Sequence, residues 1–208
     1  VNVERPGADR LLEMTGALAD LLTDTVDGGA PVGFLAPLDR AAAVAWWTER
    51  CAAVAGGRLT VWTASEEPGR VLGTVSLALP ADKPNSAHRA ELVKLMVHRA
   101  ARGKGLGRRL LAVAEEAAAA DGITLLHLDT ETGSPAEHLY RTSGWTEVGA
   151  IPDYAADPGG VLRPTTVYYK RLPCVTPREA NALRGRGEPR DRGPGGGALE
   201  SGRAGTER

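Results

Sequence analysis

The chain has 208 residues, of which 42% are apolar, 25% charged and only 4% aromatic, with a formal net charge of −1. Such a chain is globular, with a core built mostly of Ala, Val and Leu, and is not a collagen, coiled coil or solenoid. The near-zero charge argues against a general nucleic-acid or membrane binder, no run of 18 apolar residues occurs, and Cys51 and Cys174 lie too far apart to suggest a disulfide framework, so a soluble cytoplasmic protein is expected.

In chain order, Leu11 to Val26 carries apolar residues at helical spacing and is stopped by Asp27-Gly28-Gly29. Ala30 to Pro37 reads as a loop. Leu38 to Ala55 reads as a second helix, in which the adjacent Trp46 and Trp47 point about 100° apart, so that at most one faces the core directly. Leu59 to Ala64 and Val71 to Leu79 read as a hairpin around Glu66-Glu67-Pro68-Gly69. A loop, Pro80 to Ala87, leads to a third strand, Ala90 to Val97. A glycine-rich turn and a long helix follow. Ile123 to Thr130 is apolar on both faces, as a central strand is. Ser134 to Ser143 reads as a short helix. Thr146 to Ala150 and Thr166 to Leu172 read as strands joined by a long Pro/Gly loop, Ile151 to Thr165. Antiparallel strands, a β-α-β-α unit and a closing strand pair make a mixed α/β sheet in one layered domain, the α+β layered type. Residues 173–208 hold eight Gly, four Pro and seven Arg, and read as a disordered tail behind a domain spanning 1–172.

The most informative stretch is Leu95 to Leu111. A strand enters a turn with Gly103, Gly105 and Gly107, and an amphipathic helix leaves it. The first N–H groups of a helix have no internal acceptor, and with the macrodipole they attract an anion. Arg99, Arg102, Lys104, Arg108 and Arg109 add five cations and no acid intervenes, so a diphosphate suits the turn. No G-x-x-x-x-G-K-[ST] string exists, and the glycines are spaced G-x-G-x-G, not G-x-G-x-x-G. Arg102, Gly105 and Gly107 give R-x-x-G-x-G.

Leu95-Met96-Val97 followed by Arg102-Gly103-Lys104-Gly105-Leu106-Gly107 resembles motif A of the GNAT N-acetyltransferases, and Ala136-x-x-Leu139-Tyr140-x-x-x-Gly144-Trp145 resembles their motif B. Asp27-Gly28-Gly29-Ala30-x-Val32-Gly33-Phe34, Lys94 to Val97, Leu125 to Glu131, and Val148-Gly149 leading to Pro152-x-Tyr154 look like the tabtoxin-resistance type. The resemblance implies a mixed, mostly antiparallel sheet with a parallel, splayed central strand pair flanked by helices. It also implies acetyl transfer from acetyl-CoA to a primary amine of a small molecule, in a ternary complex. The acceptor is then an amino-acid-like toxin or antibiotic, and the protein a monomer or homodimer. A non-catalytic acyl-CoA-binding module and an acetyltransferase of protein N-termini or lysines are the alternatives. Residues Arg102 to Arg108 would bind the pyrophosphate and the backbone of Leu95, Met96 and Val97 the pantetheine. Where the family often has Asn, seven residues before the motif-B tyrosine, stands Gly133, and Ser134 beside it would take over the polar contact. The family's first strand has only Val1 to Glu4 left for it.

The chemistry needs an acid for the leaving thiolate and a base for the ammonium. Tyr140 is the acid that the resemblance points to, and a packed core tyrosine otherwise. Glu91 and Asp129 are the base candidates. Their alternatives are an ion pair with Arg89 or Lys94 for Glu91, and a helix cap or loop hydrogen bond for Asp129. Asp153, Tyr154 and Arg163 are polar groups expected to reach the acceptor from the long loop. His88, His98, His127 and His138 show no metal spacing, and no metal is expected.

Overall fold

A computed structural model describes residues 1–67, 69–80 and 83–173; all but the first residue of the expected disordered tail lies outside them. Among these residues the strands are β1 (Asn2–Glu4), β2 (Leu59–Glu67), β3 (Arg70–Ala78), β4 (Arg89–Val97), β5 (Leu125–Glu131), β6 (Thr146–Ala156) and β7 (Leu162–Arg171). They form one sheet in the order β1-β2-β3-β4-β5-β7-β6, where β4 and β5 are parallel and every other pair antiparallel. The helices are α1 (Ala8–Asp27), α2 (Arg40–Ala55), α3 (Leu106–Ala120) and α4 (Pro135–Thr142). No helix among the described residues is long and apolar enough to cross a membrane.

The central strands are buried on both faces, whereas the edge strand β6 is exposed almost throughout. Helices α1 and α2 cover one face with Leu11, Leu18, Leu22 and Trp47 over Val61, Val71 and Met96. Helices α3 and α4 cover the other with Leu110, Leu111 and Tyr140 over Leu92, Leu126 and Leu128. Helix α2 begins at Arg40 rather than Leu38, because the Asp39 carboxylate accepts from the Ala42 N–H at 3.1 Å and caps it. Trp47 is fully buried, and Trp46 is turned to meet Phe34 edge-on at 5.5 Å. The short strand expected at Val1 to Glu4 forms, paired with β2.

One expectation is overturned. Residues Ile151 to Thr165 are not a long loop: β6 continues to Ala156, β7 starts at Leu162, and a tight turn joins them. The prolines that suggested a loop sit where the ladder is interrupted. Pro152 lies in the irregular stretch between the paired Ile151 and Ala155, and Pro164 faces it between the paired Arg163 and Thr165, so neither missing N–H is needed. Asp157 closes the turn, accepting from the Val161 N–H at 3.0 Å and the Arg163 guanidinium at 2.9 Å.

Helix α3 approaches the sheet closely over Gly73. A Cβ there would meet Leu110 Cδ1 at 2.9 Å and the Met96 carbonyl at 3.0 Å. Gly73→Ala is therefore expected to cost about 1–3 kcal/mol in urea unfolding. At Gly16, mid-helix, the added methyl would meet nothing nearer than the tip of Arg40 at 3.4 Å. Gly16→Ala should instead stabilise by about 0.5–1 kcal/mol through helix propensity. Equal effects at both sites would refute the packing account.

Candidate active site

The turn after β4 is held by its own cations. The Arg99 guanidinium and N–H both donate to Asp24 at the end of α1. Burial pushes the Asp24 carboxyl up, but these donors and His98 outweigh it and hold it below the usual range. Arg102 Nε donates to the Val97 carbonyl at 2.9 Å and Lys104 Nζ to the Ala100 carbonyl at 3.2 Å. Arg108 clasps the end of α4, donating to the Thr142 carbonyl at 3.1 Å and to the Thr142 hydroxyl at 2.9 Å. Arg109 donates to the Val1 carbonyl at 3.0 Å. The cations thus shape the turn, while the N–H groups from Gly103 to Arg108 donate to no protein acceptor among the described residues. Gly105 caps α3 with φ 78°, a conformation that side chains resist, and a Cβ on it would meet no protein atom within 4 Å. Six unpaired donors around a bare backbone can hold two phosphates.

From that turn a cleft runs back between β4 and β5. Their pairing stops at Glu91 and His127 after three residue pairs. Beyond it the strands diverge, and the edge of Leu92 to Val97 that faces β5 has no strand partner among the described residues. A bulge in β4 contributes: Thr74 pairs with Met96 but Ser76 with Val93, so Lys94 and Leu95 together oppose Val75. Lys94 takes φ 54°. An extended chain laid in this gap meets free backbone donors and acceptors along β4, as a further strand does.

Tyr140 enters from the α3/α4 side. It is buried, its ring lies 5.7 Å from Trp145 and 6.5 Å from Tyr168, and its hydroxyl has no protein partner among the described residues. Burial, with Asp129 nearby, pushes the phenol well above its ordinary value, so it stays protonated. Glu137 fixes its helix. This buried carboxylate accepts from the Gly133 N–H at 2.6 Å and the Tyr168 hydroxyl at 3.0 Å. Burial pushes it up, but these donors and Thr166 outweigh that and hold it low. Ser134 caps α4, accepting from the Glu137 N–H at 3.2 Å, and lies 3.3 Å from the Thr130 hydroxyl.

Glu91 and Asp129 point to the opposite face. Their neighbours Ala90, Leu92 and Leu128 belong to the α3/α4 core, so strand alternation turns both carboxylates towards α1 and α2. Neither takes up its structural alternative. Arg89 donates to His127 Nε2 at 3.0 Å instead of pairing with Glu91, Lys94 donates to the Val32 carbonyl, and Ser134 is the cap of α4. Both carboxylates are left without a hydrogen-bond partner among the described residues. The α1–α2 loop lies on this face, bound at 2.7 Å from Lys94 Nζ to the Val32 carbonyl, and at 2.8 Å from the Ala36 N–H to the Pro158 carbonyl at the tip of the β6–β7 hairpin. Asp153 and Tyr154 lie exposed on β6, Asp153 with φ 50°, and Arg163 is committed to Asp157. Sequence reading gave Lys94 no role beyond an ion pair with Glu91; it lies on this face, 5.9 Å from the Phe34 ring centre and 5.3 Å from that of Trp46. A lysine inside an apolar strand was the available signal. Among the described residues no group of three or more His, Cys, Asp or Glu is placed to hold a metal ion.

The model of the acetyltransferase (GNAT) family matches residues 21–145. The fold is similar to a ribosomal-protein-alanine N-acetyltransferase from Brucella melitensis, with TM-score 0.65 and 25% identity over 83% of this chain and 100% of that one. It is similar to an N-acetyltransferase from Staphylococcus aureus Mu50, with TM-score 0.67 and 20% identity over 83% and 100%. It also matches a phosphinothricin acetyltransferase from Sinorhizobium meliloti solved with acetyl-CoA, with TM-score 0.67 and 19% identity over 82% and 88%.

Gly105→Ala tests the turn. The left-handed backbone there should cost about 1–2 kcal/mol of stability. Acetyl-CoA affinity, read by calorimetry on the folded variant, should fall by about tenfold or more, because the methyl enters the space in front of the N–H groups. An unchanged affinity would take the turn out of the binding site.

Proposed function

Because the chain belongs to the GNAT acetyltransferase family and is an acetyl-CoA-dependent N-acetyltransferase, we propose that its acceptor is the primary amine of a small molecule, an amino-acid-like toxin or antibiotic. The observation that carries this reading is the loop bound at Val32 and at Ala36 on the face to which Glu91 and Asp129 point. A loop fastened to β4 and to the hairpin tip encloses the acceptor side, which suits a compact amine better than an extended peptide. The phosphinothricin acetyltransferase fold match agrees with it. The ribosomal-protein-alanine N-acetyltransferase favours a second reading, transfer to a protein N-terminus.

In the proposed reaction, residues 1–172 are the catalytic unit. The pyrophosphate of acetyl-CoA sits on the N–H groups of Gly103 to Arg108, and the pantetheine lies along Leu95 to Val97. Glu91, directly or through one water, takes a proton from the ammonium, while Asp129 holds the amine by charge. The amine nitrogen bonds to the thioester carbon, whose oxygen draws on free N–H groups of β4. The C–S bond then breaks, Tyr140 donates its proton to the departing thiolate, and the second proton lost by the nitrogen returns to the tyrosinate through solvent, leaving the amide, the free thiol and the one proton held by Glu91. The amine thus approaches from the α1/α2 face and the acid from the other.

Thiol release from acetyl-CoA should be followed with amino acids, phosphinothricin, aminoglycosides and peptides beginning with alanine. Turnover of the small amines and not of the peptides is expected, and the reverse result would sink the reading. Tyr140→Phe should lower kcat by about 10²–10⁴-fold with acetyl-CoA affinity little changed. Because the phenol stays protonated past its ordinary value, the wild-type rate should show no Tyr140-dependent fall up to pH 10. Glu91→Gln should lose rate and flatten the acidic limb of the pH–rate profile, while Asp129→Asn should mainly raise the KM of the amine. The opposite pattern exchanges their roles, and wild-type profiles in both variants would remove both from proton transfer.

A further inference from the structure

Lys94 has no part in the reaction just described, yet its placement is costly. It lies in the β4 bulge with φ 54°, a backbone conformation rare outside glycine. The residue is only partly exposed, and among the described residues no carboxylate comes within ion-pair distance of it. Burial and the Arg50 guanidinium, itself 3.9 Å from the Trp46 ring centre, lower its pKa against the weaker pull of Asp129 and Glu91. A half-buried ammonium beside a second cation is held only by strong local contacts. Those contacts all come from one segment and the helix behind it. Nζ donates to the Val32 carbonyl at 2.7 Å and lies 5.9 Å from the Phe34 ring centre and 5.3 Å from that of Trp46.

We propose that Lys94 is a positioning residue of the acceptor site: its ammonium latches the α1–α2 loop, through Val32, over the end of the cleft flanked by Glu91 and Asp129. The location of the acceptor rests on the function proposed above; the latch does not. The bulge makes the latch, because it breaks the in–out alternation of β4 where Lys94 stands. The second anchor, Ala36 to Pro158, joins the same loop to the hairpin tip, so releasing Lys94 frees one end of a tethered segment. A charge-assisted bond to a carbonyl is the stronger kind of the two.

Lys94→Met keeps the length of the stem and removes charge and donors; Lys94→Arg keeps both. Hydrogen exchange at the Val32 and Ala36 amides reads the latch, since they donate to the Ala30 and Pro158 carbonyls. In Lys94→Met these two amides should exchange about tenfold faster or more, with those of α3 unchanged. Lys94→Arg should restore them. With the fastest amine of the panel, its KM should rise by about tenfold in Lys94→Met, while that of acetyl-CoA stays within about twofold. Unchanged exchange at Val32 and Ala36, or equal acceleration throughout α3, overturns the latch. Faster exchange with an unchanged amine KM removes the latch from the acceptor site and overturns the proposal too. The exchange experiment needs no acceptor, so its failure is distinguishable from a panel in which no amine turns over, which would count against the proposed function instead.

Discussion

The parallel pairing of β4 with β5 ends after Arg89–Leu125, Ala90–Leu126 and Glu91–His127, and most of the site follows from that early end. Two neighbouring strands that stay paired leave no room and no free backbone. Two strands that part leave a wedge lined by unsatisfied N–H and C=O groups, which an extended ligand can satisfy. The β4 bulge at Lys94 and Leu95 twists the strand at the start of the divergence. On the far side, β5 is held by seven consecutive pairs with β7 and cannot follow β4. The sheet therefore opens at one seam while remaining continuous on both sides of it.

In the proposed reaction the wedge also keeps opposite chemical demands apart. Tyr140 belongs to the apolar core under α3 and α4, where burial keeps its proton on. Glu91 and Asp129 project to the other face, where partial exposure suits charged carboxylates. In the proposed reaction an acid that stays neutral and bases that stay ionised need different environments, and the two faces of one sheet offer them beside a single gap. The surrounding polar contacts keep that gap in shape. Asp24 ties the glycine turn to α1, Arg108 ties α3 to the end of α4, and Glu137 ties α4 to β7. Trp145 and Lys170 share the Glu115 carboxylate at 2.7 and 2.6 Å, bracing α3 against the strands that close the sheet.

By itself the sequence determined what depends on neighbours along the chain. Helical periodicity, glycine stops and the alternation of the strands placed nearly every element, because each signal is read within one or two turns of backbone. The glycine turn was legible for the same reason: a strand, three closely spaced glycines and an amphipathic helix are enough to expose donors to a phosphate. What tertiary structure alone decided was how distant segments meet. Arg89 chose His127 over Glu91, and Arg108 chose the end of α4, because strand register and helix packing brought those acceptors near. Pro152 and Pro164, read locally as breakers, fell opposite each other in a hairpin whose ladder skips both. Lys94, read locally as an ion-pair partner for Glu91, instead binds a loop more than sixty residues away. Local spacing carries no information about such partners; they are selected only when burial fixes which edges and faces come together, and an ion or hydrogen bond then forms with whatever that packing leaves within reach.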